Sequence, residues 1–588
     1  MLEAGQDSVP SAKTSKSLSF SMLADSSKTA QYPTAKHEQQ VWQLASVLFD
    51  PLDVSCTDMV SGIPKQQIPA FESKIRRDAV SQFWADLCKM KTFLQARDVS
   101  SLEEKAFVYL SGCDVENACA TLVEAGDYRL ATIISQLPSD VTSKQMIQKQ
   151  MEAWRSQNVL SEMSPAIRAL YELAAGNACI SEGRTGASED RAPTFGIAER
   201  FGLDWKQALG LRLWYCNGDL VSAVQSYIQD VQEGKEKIKP VPSFGPESGW
   251  VGDKSDERED TLVGILRLYV AVESNDTTNL SVRDLFDPAA VSGNPINARL
   301  AWQLATSMQA QRIIDASILP DPIVDDLTVS LAAQLESIGT DESIVSALAV
   351  LLHLSSPKAR EVYVKDLLSR RAASLADVNS HGSTSTNTIF QTLTNTLHIP
   401  SSWIHRALAL HAASSANHYS QVSHLLAAGD LSSAHSVLCT SVGPAAIITQ
   451  EYDTLRELLG TFIGDSGVTP DIPNWRTGGG VYFDFIHLID IAGPRGDEGE
   501  SREEKNKILK RLGVALPGMR DTKGSGSLEE KVAVAEMAEV VKREVTRLGK
   551  EDKVMSEERV RRLPVVDDAY VKQGVRVAGL YYRAIGVQ

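Results

Sequence analysis

The sequence lacks long apolar runs, paired cysteines and abundant aromatic residues. In its 588 residues, no stretch reaches the roughly 18 consecutive apolar residues that a membrane-spanning helix needs. Its seven cysteines are scattered and form no Cys-x-x-Cys pair, which is typical of thiols in a reducing compartment. Aromatic residues make up only 6% while Ala, Leu and Ser recur, a balance that favours helices over strands. These features predict a soluble, intracellular, mainly helical protein.

Acidic residues outnumber basic ones, 75 to 59, which gives a formal net charge of -16. The resulting field repels phosphate backbones and anionic membrane surfaces, so neither nucleic acid binding nor membrane insertion is expected. Hydrophobic residues make up 43% of the chain, which is enough for a large core. The sequence therefore predicts a folded protein that binds no nucleic acid.

Apolar residues recur at helical spacing along most of the chain. The first clear stripe has the i, i+3, i+4, i+7 spacing of one helix face and consists of Val41, Leu44, Ala45 and Leu48. Asp50-Pro51 ends this helix, and no convincing alternation of strand type occurs anywhere. We therefore predict an all-α fold that follows a flexible, polar lead-in over residues 1–36. Turn-rich stretches, which we expect to be loops or linkers, lie at 181–196, 234–258, 378–388 and 464–480.

One local motif, Gly-Asp-apolar-x-x-Ala, occurs three times, each time directly after an apolar helical stretch. Glycine can adopt the left-handed conformation that closes the preceding helix, and aspartate can cap the free amides of the next one. The motif therefore predicts tight corners between antiparallel helices, and the uneven spacing of the corners predicts an irregular helical solenoid. The corner residues are Gly126 and Asp127, Gly218 and Asp219, and Gly429 and Asp430.

No catalytic or ligand-binding motif has the spacing that its chemistry requires. His37-Glu38 begins like a zinc-protease helix, but Val41 stands where the second histidine is needed. The glycine-rich segment 245–255 resembles a phosphate loop, yet Asp253 would repel the phosphate. No Gly-x-Ser-x-Gly nucleophile elbow occurs. We therefore expect no enzymatic activity, no cofactor and no metal ion.

Six of the ten histidines lie between residues 398 and 435, which leaves a metal-dependent enzyme as an alternative. The middle four are separated by gaps of 6, 7 and 6 residues, so they cannot all share one helix face. Surface and corner positions are the simpler interpretation. The six residues are His398, His405, His411, His418, His424 and His435.

The C-terminal stretch from Val565 to Tyr582 is unusually apolar for the end of a chain. A terminal segment of this kind docks either on its own chain or on another protein. We therefore predict partner contacts at Val565, Tyr570, Leu580 and Tyr581.

Several separate segments carry a resemblance to a known family, in the same order: Val41–Asp50, Ser111–Ala131, Leu203–Trp205 with Leu213–Tyr215, Ala298–Leu304, Leu352–Arg360 and Ile399–His405. Together they resemble one family of nuclear pore proteins. This family is the scaffold nucleoporin of the Y-shaped pore coat, the C-terminal product of a large, self-cleaving, FG-bearing precursor. The resemblance extends from about residue 38 to about residue 460.

The resemblance implies an ancestral coatomer element, which is a helical solenoid that folds back on itself. It also implies a structural subunit of the nuclear pore complex at the nuclear envelope, one that supports transport of protein and mRNA. A solenoid subunit of a vesicle coat is the alternative, because periodicity alone does not distinguish the two coats. The implied segments are a lead-in (1–36), a first trunk leg (37–129), a crown (130–280), a returning trunk leg (281–400) and a tail (401–588).

Three kinds of partner follow from the same resemblance. Another scaffold nucleoporin meets the family crown to crown, hub subunits bind the tail, and a small β-propeller subunit shared with the COPII coat accepts donated strands. In the family those strands precede the Val41-Trp42 helix, where this sequence offers only Leu18–Leu23 as strand material. We therefore expect this end of the chain to be truncated, with the strand-donating segment absent.

Overall fold

A computed structural model describes most of the chain. The described residues fold almost wholly into helices, so the prediction of an all-α fold is confirmed. The strands among them are each two residues long: Leu2–Glu3, Ser11–Ala12, Ile180–Ser181 and Phe195–Gly196. The described residues are 2–3, 9–29, 32, 34–51, 68–186, 190–216, 218–242, 244, 258–276, 280–377, 389–463, 472–492, 500–522, 527–548 and 555–565.

The chain forms two compact units. The first consists chiefly of Ala12–Ile338 together with His353–Ser355. The second consists of Leu2–Ser11, Gly339–Leu352 and Ser356–Gln588. The division into trunk, crown and tail stays a prediction.

The described residues of the first unit are mainly α-helical, with a 3-10 turn at Val159–Ser161 and a π-helical turn at Arg212–Cys216. The α-helices are Phe20–Ser27, Ala35–Phe49, Ile68–Asp98, Leu102–Leu110, Val115–Glu124, Tyr128–Ile134, Val141–Ser156, Pro165–Ala174, Ile197–Arg200, Trp205–Leu211, Leu220–Gln232, Thr261–Ser274, Val282–Leu285, Pro288–Ser292, Arg299–Ala310 and Asp321–Ile338.

The second unit has the same character, with π-helical turns at Thr392–Thr396 and Leu438–Val442 and a 3-10 turn at Trp475–Thr477. Its α-helices are Asp341–Leu351, Pro357–Arg370, Ala372–Asp377, Ser401–Ser414, His418–Ala427, Leu431–Val437, Gly443–Thr449, Tyr452–Ile463, Gly479–Ala492, Glu500–Thr522, Leu528–Arg547 and Glu557–Arg561. The continuous helical run Leu431–Thr449 is long and apolar enough to cross a membrane, but half of it is buried inside the protein, as in a core helix.

The helix Ala35–Phe49 shows how an apolar stripe produces local structure. Every residue of the predicted stripe is buried, and the helix ends at Asp50 as expected. Near its start, Glu38 accepts a hydrogen bond from Nη1 of Arg299 at 2.9 Å, although the two residues are 261 positions apart. Burial opposes the charge of Arg299, but Glu38 outweighs this effect and raises the pKa of the guanidinium. This ion pair therefore joins Ala35–Phe49 to the helix Arg299–Ala310.

The prediction of a flexible lead-in over residues 1–36 is wrong where the helix Phe20–Ser27 forms. Phe20 is fully buried, and its ring stacks on Trp42 with 6.1 Å between centroids. The carboxylate of Asp50 accepts hydrogen bonds from the amides of Phe20 and Ser21, at 3.0 and 2.9 Å. Most of the candidate strand Leu18–Leu23 is therefore helical, because its free amides find an acceptor at the end of the following helix.

Two of the predicted loops contain more structure than the sequence indicated. Within 181–196, the strands Ile180–Ser181 and Phe195–Gly196 pair antiparallel, and buried Arg168 donates to the carbonyl of Glu182 at 3.2 Å. The stretch 464–480 ends at the start of the helix Gly479–Ala492. The loops predicted at 234–258 and 378–388 lie largely outside the described residues.

Two of the Gly-Asp corners have the predicted geometry. Gly126 and Gly429 are left-handed, with φ of 84° and 78°. The side chains of Asp127 and Asp430 each accept a hydrogen bond from the amide three residues later, at 2.9 and 3.1 Å. Each corner thus closes one helix and caps the next.

The third corner differs and corrects the prediction for its glycine. Asp219 caps the following helix, accepting a 3.3 Å hydrogen bond from the amide three residues later. Gly218 is not left-handed, however. The helical segment before it ends in the π-helical turn Arg212–Cys216, so no α-helix has to be closed by a left-handed glycine at this position.

The same corner is also built without glycine. Cys113 and Ala416 are left-handed, with φ of 65° and 56°. Asp114 and Asn417 follow them and accept hydrogen bonds from the amides three residues later, at 3.1 and 3.2 Å. A search for Gly-Asp pairs alone misses these corners.

We expect Gly126→Ala to lower the free energy of unfolding by about 1 to 2 kcal/mol, because a left-handed φ disfavours any side chain. Gly218→Ala is the matched control, since an added Cβ meets nothing within 4 Å at either position. Urea unfolding followed by circular dichroism measures both effects. Equal losses for the two variants would contradict this account of the corners.

Candidate protein-interaction surfaces

The helix Val141–Ser156 is attached to the first unit through polar bonds, through buried Met151, and through Trp154, whose ring centroid lies 4.9 Å from that of Tyr171. Only one of its residues is buried. Lys144 Nζ donates to the carbonyl of Cys216 and Gln148 Nε2 donates to the carbonyl of Ala175, each at 2.9 Å. Both carbonyls lie at the ends of helical segments, where main-chain acceptors are left free. The opposite side of this helix therefore faces solvent.

Apolar side chains are exposed on this helix and on the two helices that precede it. Val141 and Met146 have 71% and 67% of their surface exposed, and Tyr128 and Val123 are also exposed. Met146 lies two residues before Gln148 and so projects from the opposite side of the helix. We call these four residues the crown surface. Sequence reasoning missed them, although isolated apolar residues in an otherwise polar helix are a usable signal.

A buried charge cluster supports the interior of the same region. Arg212 donates to the carboxylates of Asp230 and Glu236, each at 3.1 Å, and its guanidinium lies 5.2 Å from the ring centre of Tyr227. Burial works against the charge of Arg212, but Glu236 and Asp230 outweigh it and raise its pKa. Arg212 thus keeps its positive charge inside the fold, and its ion pair with Asp230 fixes Leu220–Gln232 beside the π-helical turn.

The thiols near this cluster are not poised for chemistry. Burial raises the pKa of Cys179 to about 11 and that of Cys216 to about 12. A reactive cysteine needs a lowered pKa, because the thiolate is the nucleophile. Neither residue is therefore a candidate for covalent catalysis.

In the second unit, the structure brings together two of the clustered histidines. Nδ1 of His405 and Nδ1 of His424 are 3.4 Å apart, and the ring centroids are 5.5 Å apart. A hydrogen bond between these two atoms requires that one ring carry a proton on Nδ1 and that the Nδ1 of the other ring accept the bond. Burial lowers the pKa of both residues, and the charge of His405 lowers that of His424 further.

The remaining histidines do not join this pair. His435 is buried elsewhere, where its Nε2 accepts a 2.9 Å hydrogen bond from the amide of Gly479 and lies 3.4 Å from the sulfur of Cys439. Within the described ranges, no group of three or more His, Cys, Asp or Glu side chains is placed to hold a metal ion. The phosphate-loop candidate at 245–255 lies outside the described residues.

The predicted C-terminal contacts have different outcomes. Val565 is only 5% exposed and packs in the hydrophobic core of the second unit, so it docks on its own chain and is not available to a partner. The predicted contacts at Tyr570, Leu580 and Tyr581 lie outside the described residues. Large apolar residues exposed in this part of the chain are instead Val514, Leu528 and Val532, which we call the tail surface.

We expect the second unit to lose stability as the pH falls through about 6.5, the ordinary pKa of histidine. The folded pKa values of His405 and His424 are lowered, so the unfolded chain takes up protons first. Thermal melts from about pH 8 to about pH 5.5 should show a weaker pH dependence for His424→Gln than for the unchanged chain. His418→Gln, at an exposed position, is the control and should leave the pH dependence as it is.

Comparison with known proteins gives a consistent result. The family model described as nuclear protein 96, Nup96, matches residues 104–411, which is more than half of the chain. This range includes the crown surface and the Arg212 cluster, and it ends within the helix Ser401–Ser414.

Three curated relatives are similar over most of this chain. Nucleoporin nup189 of Schizosaccharomyces pombe is 28% identical over 83% of the chain, and nucleoporin NUP145 of Chaetomium thermophilum is 28% identical over 85%. Nuclear pore complex protein NUP96 of Arabidopsis thaliana is 23% identical over 86%. The chain spans 26%, 23% and 47% of the lengths of these relatives. Its helical fold and these matches together show that the chain belongs to the Nup96 family of nucleoporins.

Proposed function

We propose that this chain is a structural subunit of the nuclear pore complex at the nuclear envelope, where it supports transport of protein and mRNA by holding other subunits in place. The family match over residues 104–411 is the observation that carries this proposal. The relatives are nucleoporins, which form a structural family, so a vesicle coat is not favoured. We propose no enzymatic step, and the paired histidines favour no metal-dependent alternative.

Within the pore, we assign the chain to the Y-shaped coat complex and its crown surface to a second scaffold nucleoporin. Stable protein interfaces bury more than about 1,000 Å² and centre on aromatic or aliphatic anchors. Tyr128, Val141 and Met146 are anchors of this kind and are exposed in the free chain. The polar bonds of Lys144 and Gln148 lie on one side of Val141–Ser156, which leaves the Met146 side of the helix available to a partner.

We assign the tail surface to the hub of the Y complex. Leu528 is 78% exposed at the start of its helix, and Val514 and Val532 are exposed as well. Their helices also line the core of the second unit, with Leu512 and Val541 fully buried. An apolar surface on elements that are anchored in this way can be recognised without rearrangement of the fold.

Pairing with the small β-propeller subunit is not assigned to Leu18–Leu23. Phe20–Ser27 is a helix whose first residue is buried against Trp42, so this segment is not free to join another protein as a strand. A propeller contact through donated strands would require other residues.

Met146→Asp should weaken binding of the crown partner at least tenfold, because the interface would bury the new carboxylate without a partner for its charge. The measurement is calorimetric titration with the candidate second scaffold nucleoporin of the same species. Leu410→Asp is the control, because Leu410 is similarly exposed but lies in the second unit. Unchanged affinity for Met146→Asp and Val141→Asp would place the crown contact elsewhere.

Leu528→Asp combined with Val514→Asp should abolish capture of hub subunits from a native extract while the crown partner stays bound. Point changes are needed, because removing the residues after about 480 would expose buried Leu455 and Leu458 of the same core. Pull-down followed by mass spectrometry separates the outcomes. Loss of every partner together with an unchanged melting temperature would indicate a single shared site, and retention of every partner would refute the assignment.

A further inference from the structure

The helix Ile68–Asp98 has an inner face that holds it firmly in the first unit. Nε1 of Trp84 donates to the carbonyl of Lys206 at 2.8 Å, and the side-chain Nε2 of Gln207 donates to Oε1 of Gln95 at 2.7 Å. Residues spaced four apart form the buried stripe: Val80, Trp84, Cys88, Thr92 and Ala96. The other side of the helix is therefore presented to solvent in a fixed orientation.

That outer side carries three large apolar side chains within about one helical turn. Met90, Phe93 and Leu94 are exposed by 70%, 62% and 51%. They have the i, i+3, i+4 spacing of a single helix face, which is the pattern that an apposed helix recognises. Scattered exposed hydrophobics need no explanation, but three at this spacing on a rigid helix indicate an interaction surface.

The charges at the ends of this stripe specify what fits on it. Asp86 and Arg97 are both exposed and are 11 residues apart, which is about three helical turns, so they project in nearly the same direction as Phe93. The outer face thus runs from an acid through apolar residues to a base. Lys89 lies beside Met90, where its aliphatic stem can cover apolar surface. When two such faces are laid antiparallel, the acid of each therefore meets the base of the other.

We propose that this stripe pairs with the same stripe of a second copy of the chain, with the two helices antiparallel. A twofold axis between Lys91 and Thr92 places Asp86 of one copy against Arg97 of the other at both ends. It also places Met90 of each copy against Phe93 of the other. One patch that meets itself in this way is the arrangement of an isologous dimer.

The pairing is weak, because one helical stripe buries less than the roughly 1,200 Å² of a standard stable interface. The net charge of -16 on each chain opposes association over long distances. At physiological ionic strength this repulsion is screened beyond about 8 Å, whereas the paired ends and the apolar centre are in direct contact. The dimer therefore forms only at high concentration of the chain.

Sedimentation analysis of the full chain over a wide concentration range, at physiological ionic strength, tests the proposal. The average mass of the unchanged chain should rise with concentration. The average mass of Phe93→Asp should stay at that of the monomer. Leu410→Asp, equally exposed in the second unit, should associate as the unchanged chain does. Circular dichroism melts of each variant establish that the fold is intact.

Charge exchange distinguishes this pairing from general stickiness. Arg97→Asp alone and Asp86→Arg alone should each weaken association about tenfold, because each change acts twice in a twofold dimer. The double variant, which carries both changes, should restore association to nearly its original strength. A heterologous or nonspecific contact would not be rescued in this way.

Three results would overturn the proposal. They are a monomer at every concentration, association that persists in Phe93→Asp, and a double variant no better than the single ones. If Phe93→Asp leaves the mass unchanged but removes a protein captured from extract, then the stripe belongs to a different partner and the self-pairing is wrong.

Discussion

The rest of this structure depends on how the chain satisfies the free amides at the start of each helix. At Asp114, Asp127, Asp140, Asn417 and Asp430, a side-chain oxygen accepts a hydrogen bond from the amide three residues later. Many of these helices are too short to be stable alone, so they are stabilised by packing one apolar face. The capped corner fixes the direction of each new helix and therefore determines which apolar faces can meet.

Buried ion pairs add a second level of organisation inside the first unit. Packing of apolar faces is not directional, whereas a guanidinium donates hydrogen bonds in fixed directions and so requires an acceptor at a defined position. Two ion pairs have this effect, Arg212 with Glu236, both almost fully buried, and Arg299 with Glu38. Each stabilises one arrangement of helices over others that would bury a similar area. Removing one partner from a fully buried pair typically costs about 3 to 5 kcal/mol, because the other charge is left without compensation.

The parts of the fold that could be predicted are those whose signals are local in sequence. The apolar stripe of Ala35–Phe49 and the aspartate caps are examples. The helix Phe20–Ser27 was missed: Ser19 caps its Met22 amide locally, but the amides of Phe20 and Ser21 are bound by Asp50, which lies 30 residues further along the chain. The left-handed position at Cys113 could not be predicted, because the residue there is not glycine. At Gly218 a glycine is present, but the preceding segment ends in a π-helical turn and needs no left-handed residue. Isolated apolar residues in a polar helix point to such surfaces, but which of them a neighbouring helix covers depends on contacts between residues that are distant in sequence.

The way in which Val141–Ser156 is attached has a consequence for how this family changes over time. Lys144 and Gln148 bind main-chain carbonyls, which every residue type provides, so these two bonds place no demand on the side chains beneath them. Met146, on the outer side of the helix, is 67% exposed. Substitutions there can change the exposed surface while leaving the stability of the unit unchanged. A surface attached in this way can diverge quickly among relatives that keep the same fold, and identities of only 23% to 28% do not contradict a shared architecture.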